Sequence, residues 1–101
     1  MFVVTYPIVG SEKTITVRLG DVETDPHPDG GDFRVEVGLS GPNLDFTTQV
    51  YGIDALQCTW LALHVIRQEI TLFEQRSGKC CEYTGFVGSE HFEIPLRTDD
   101  F

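Results

Sequence analysis

Three places in this chain carry residue types suited to chemistry. Asp25-Pro26-His27-Pro28-Asp29 sets an imidazole between two carboxylates, donors of the kind that hold a divalent cation. The prolines keep that stretch extended, however, so successive side chains splay apart instead of converging. No second His or Cys pair stands at zinc spacing, and the segment lacks the sixth-position glycine and terminal glutamate of a calcium-binding EF-hand loop. No metal and no cofactor are expected; an acidic segment facing solvent or a partner is.

Cys80-Cys81 is the second place, and thiolate or redox chemistry is what it would offer. Adjacent cysteines are not a C-x-x-C motif, and no βαβ pattern surrounds them. Strand alternation predicts one thiol in the core as a small hydrophobe and the other outside. Cys58 falls on a helix and is expected to be buried. The third place is the scattered set His27, His64 and His91. Nucleophilic catalysis needs a nucleophile, a base and an orienting group that meet in space. Nothing in the spacing brings Cys58 or Cys80 to His64. Gly85 and Gly88 do not open a helix, so they are no phosphate cradle and read as turn or bulge positions. No motif commits the chain to a reaction, and it is read as not an enzyme.

The elements that position these residues follow from periodicity. Phe2, Val4, Tyr6 and Ile8 alternate with Val3, Thr5 and Pro7, and Ile15, Val17 and Leu19 alternate with Thr14, Thr16 and Arg18. Period two marks half-buried strands, and Gly10-Ser11-Glu12-Lys13 between them is turn chemistry. Residues 21–32 hold five acids, two prolines and two glycines, a density of breakers that predicts a loop. A second hairpin follows, with Phe33, Val35, Val37 and Leu39 on one strand and Leu44, Phe46, Thr48 and Val50 on the next, turning at Gly41-Pro42-Asn43.

From Ile53 the apolar spacing changes to three and four, through Leu56, Trp60, Leu63, Ile66, Ile70 and Phe73. That predicts one long helix from Asp54 to about Arg76, packed on a sheet, with Trp60 anchored in the core beside Leu56 and Leu63. Cys58, Leu61, Ala62 and Val65 add a second apolar flank. Asp54 suits an N-cap with Gln57 as its capping-box partner, and Gly78 suits a C-cap. Two short strands, about 81–87 and 92–96, complete the chain, with Pro95 at an edge. Residues 97–101 are read as a flexible tail.

The expectation is a single α+β domain over residues 1–101. It is a twisted antiparallel sheet of about six strands in the order β-β-β-β-α-β-β, with one long helix on one face. The other face should be polar and carry Thr14, Thr16, Arg18, Arg34, Glu36, Asp45, Thr47 and Gln49.

Composition narrows the class of function. The 101 residues are 41% hydrophobic and 23% charged, within the ordinary globular range. Seven Lys and Arg against sixteen Asp and Glu leave a net charge of −9. Such a chain is repelled by phosphate backbones and anionic lipid, which argues against direct nucleic-acid or membrane binding and for a basic protein partner. The N-terminus lacks a basic n-region, and no stretch approaches the ~20 apolar residues of a membrane span. Three unpatterned cysteines do not form a disulfide framework. A reduced, cytoplasmic setting is expected.

Gly52-Ile53-Asp54-Ala55-Leu56-Gln57, then Leu61-Ala62-Leu63, Ile66, Gly85-Phe86 and Ile94-Pro95, resembles an uncharacterised family of small bacterial α+β domains. In that family a strand-rich half precedes a helix that opens with Gly-x-Asp-x-Leu-Gln. The resemblance spans about residues 50–96. It implies the α+β fold and a bacterial cytoplasmic setting, and brings no catalytic residues. The cysteine pair and the long acidic segment depart from the family pattern.

The leading functional expectation is a non-enzymatic acidic protein that binds another protein, of the inhibitor or immunity type, through Asp21, Glu23, Asp25, Asp29 and Asp32. The alternative is a small enzyme or small-molecule-binding domain with a pocket between helix and sheet, using His64, Tyr83 and Cys58. Either is compatible with a homodimer pairing through the N-terminal strand, whose edge carries few charges to blunt it.

Overall fold

The computed structural model describes residues 1–27, 31–83 and 85–89. Five strands precede the helix: β1 (Phe2–Pro7), β2 (Thr14–Leu19), β3 (Glu23–His27), β4 (Gly31–Gly41) and β5 (Leu44–Gly52). After helix α1 (Ala55–Ser77) come two short strands, β6 (Glu82–Tyr83) and β7 (Phe86–Val87). Every described pairing is antiparallel, and the helix packs chiefly against β4 and β5. The architecture is α+β, as the periodicities predict.

β4 organises the sheet. β5 pairs with it along its whole length, from Phe33↔Gly52 to Gly41↔Leu44. On its other side the C-terminal half takes β2 (Leu19↔Val37, Thr16↔Ser40) and the N-terminal half takes β3 (Glu23↔Arg34, Thr24↔Phe33). β2 and β3 therefore lie end to end, as one long strand interrupted at Gly20–Val22. Continuing the β2 register would set residue 22 opposite Arg34; Glu23 stands there instead, so one extra residue is absorbed, as in a bulge.

Here the structure corrects the sequence reading. Residues 23–27 are strand, although the 21–32 segment reads as loop. Local propensity counts breakers, but the N-terminal half of β4 offers ladder groups that β2 does not reach, and pairing overrides propensity. Pro26 is tolerated because β3 is an edge strand. The segment expected over 81–87 is two strands that turn at Gly85, whose φ is 91°. The strand expected at 92–96, the tail at 97–101 and His91 lie outside the described residues.

Helix α1 begins as its sequence dictates. Asp54, in extended conformation, accepts the Gln57 amide at 2.7 Å through Oδ1, and Gln57 Oε1 accepts the Ile53 amide at 2.8 Å. These reciprocal bonds satisfy donors the helix leaves open. Gly78 ends the helix in the left-handed region at φ 71° and donates to the Glu74 carbonyl.

The buried stripe of α1 is Cys58, Ala62, Ile66, Ile70 and Phe73. The first apolar row of the sequence is thus split: Ile66, Ile70 and Phe73 are in the core, whereas Leu56 is 62% exposed and Trp60 and Leu63 are only partly buried. Gly52 supplies the reason. A Cβ on it would lie 2.6 Å from the Cys58 amide nitrogen, so sheet and helix touch there through their smallest residues. Cys58 and Ala62 fit that approach; Leu56 and Trp60 do not. Opposite them, Ile15, Val35, Val37, Leu39 and Val50 form the sheet side of the core. No helix among the described residues is long and apolar enough to cross a membrane.

Candidate functional site

The interruption between β2 and β3 has a chemical consequence. It sets Asp21 and Glu23 beside the outer, helix-free face of β4, where Arg34, Glu36 and Gly38 point away from the core. Gln49 of β5 stands opposite Glu36. Together with Arg18 these residues bound one open concavity of about 320 Å³. Glu23 and Arg34 are Cα partners and form an exposed ion pair at 3.3 Å. Gln49 Nε2 donates to Glu36 Oε2 at 3.3 Å. Asp21 accepts the N-terminal ammonium group of Met1, and its side chain stays 80% exposed.

Arg18 forms the floor at one end. Its guanidinium lies across β4 at Gly38, where a Cβ would come within 2.5 Å of Nη2, and Nη1 donates to Ser40 Oγ at 3.2 Å. The concavity thus sets the carboxylates of Asp21, Glu23 and Glu36 among the guanidinium groups of Arg18 and Arg34 and the Met1 ammonium, three charges of each sign. It is built to exchange charge-assisted hydrogen bonds, and its own pairs are exposed enough for a competing cation to replace.

Of the acids singled out in the sequence, Asp21, Glu23 and Asp32 are exposed. Asp25 lies in β3, and Asp29 is outside the described residues. Sequence reasoning placed Arg18, Arg34, Glu36 and Gln49 on the outer face and the acids on a separate loop. It missed that they share one surface, because only the register of β3 against β4 brings them together. Among the described residues no three His, Cys, Asp or Glu side chains are grouped as a metal site requires.

A second hollow, about 280 Å³, lies between helix and sheet and is walled by Phe2, Val4, Tyr6, Leu19, Leu63 and Ile66. It is apolar. His64, Tyr83 and Cys58 are not among its lining residues. Cys58 is fully buried and donates to the Val50 carbonyl at 3.4 Å; burial raises its pKa. His64 packs against Trp60 with ring centroids 4.0 Å apart and planes tilted by 57°, and its Nε2 has no hydrogen-bond partner among the described residues. Tyr83 is buried against Tyr6, 4.8 Å between centroids, and burial followed by the charge of Cys81 raises its pKa above the usual range.

The cysteine pair alternates as expected: Cys80 is exposed and Cys81 fully buried. Burial pushes the Cys81 thiol up to about 11, which leaves little thiolate near neutral pH. The three cysteines are free. The groups a hydrolytic or thiol mechanism would use are therefore distributed over the helix top, its sheet side and the β6 strand. Compared with protein-family models, curated proteins and solved structures, the chain matches none.

Proposed function

We propose that the chain is a non-enzymatic interaction domain that binds a basic protein through the carboxylates of its open sheet face. The observation that carries this reading is the convergence of Asp21, Glu23 and Glu36 around one hollow of about 320 Å³, in a chain of net charge −9. A Lys or Arg of the partner enters between these carboxylates and displaces their exposed internal pairs. Arg18 and Arg34 meet acidic or amide groups at the partner's periphery, which fixes orientation. Asp32 of β4 is exposed, and Asp25 and Asp29, its neighbours in sequence, add to the negative charge that draws the partner in. Complementary charge of this kind raises the association rate and discriminates between partners. An inhibitor or immunity-type protein in a bacterial cytoplasm fits this chemistry.

The test is to replace Asp21, Glu23, Asp25, Asp29 and Asp32 with Asn or Gln and measure binding to a captured partner over a salt series. Weaker binding with a flatter salt dependence supports the acidic surface; unchanged affinity removes it.

A further inference from the structure

We draw no further inference here: the strongest candidate, the apolar hollow of about 280 Å³ between α1 and the β1–β2 hairpin, carries none, because nothing in the structure shows what covers it.

Discussion

Glu74 Oε2 accepts the backbone amide of Cys81 at 2.8 Å, while its other oxygen, Oε1, accepts that of Ser89 at 2.9 Å. One helix side chain thereby ties both ends of the β6–β7 hairpin to α1. Ser89 Oγ lies 2.8 Å from Thr71 Oγ1, one helical turn earlier, and Gly88 donates to the Cys81 carbonyl. Through Cys80 and Cys81 the same clamp reaches the end of β1.

Glu74→Gln should destabilise the fold by about 2 kcal/mol or more, because hydrogen bonds to a charged group are worth ~1.5–3 kcal/mol each. Glutamine retains one acceptor and turns a donor toward the other amide. Chemical denaturation measures the loss, and hydrogen exchange should quicken first at Cys81 and Ser89. An unchanged midpoint would remove the clamp from the account.

Two glycines should respond differently to alanine. Gly52→Ala drives a methyl group into the backbone of Cys58, and overpacking of that kind costs ~1–3 kcal/mol. Gly38→Ala meets first the Arg18 guanidinium, the end of a flexible side chain, and should cost no more than ~0.5 kcal/mol. It should still weaken partner binding by displacing Arg18 from the concavity. Equal stability loss in the two variants would contradict the packing described at the start of α1.

These contrasts show what was legible in the sequence. Asp54, Gln57 and Gly78 announce the helix ends because capping is local chemistry. Alternation in β2, β4 and β5 assigns their faces correctly because period two is intrinsic to a strand. In α1 the row's later half, Ile66, Ile70 and Phe73, is buried as expected, but Leu56, Trp60 and Leu63 are not, because the helix is apolar around much of its circumference and its first turns are set by the close contact at Gly52. β3 was misread because its pairing depends on the free half of β4, a long-range fact that composition does not record. The shared surface of Asp21, Glu23, Glu36 and Arg18 follows from β3, and so was hidden with it.

Thiol accessibility gives a direct check of the interior. A thiol reagent at neutral pH should modify Cys80 rapidly and leave Cys58 and Cys81 until the protein unfolds, since both are fully buried with raised pKa values. Fast reaction of two or three thiols in the folded protein would contradict the placement of β6.

Stability should fall in alkali. Burial pushes the Cys81 thiol up to about 11, above the 9.0 of an exposed thiol, so the folded state holds its proton where the unfolded chain has released it. Folding then gains from the neutral thiol below pH 9 and loses that gain as pH rises from 9 to about 11. Tyr83, raised by burial, extends the loss to higher pH. Thermal denaturation across this range should show the decline, and Cys81→Ala should make it shallower. A slope unchanged by that substitution would count against burial of the thiol.

The central claim is that carboxylates gathered on the open sheet face recognise a basic protein. The most direct measurement is capture from a lysate of the source organism at about 50 and 500 mM salt, where screening differs severalfold. The intact chain is compared with a variant carrying Asp21→Asn, Glu23→Gln and Glu36→Gln. The account predicts one basic protein retained by the intact chain at low salt, lost at high salt and not retained by the variant. Equal capture by both chains, capture indifferent to salt, or no capture by the intact chain would contradict it.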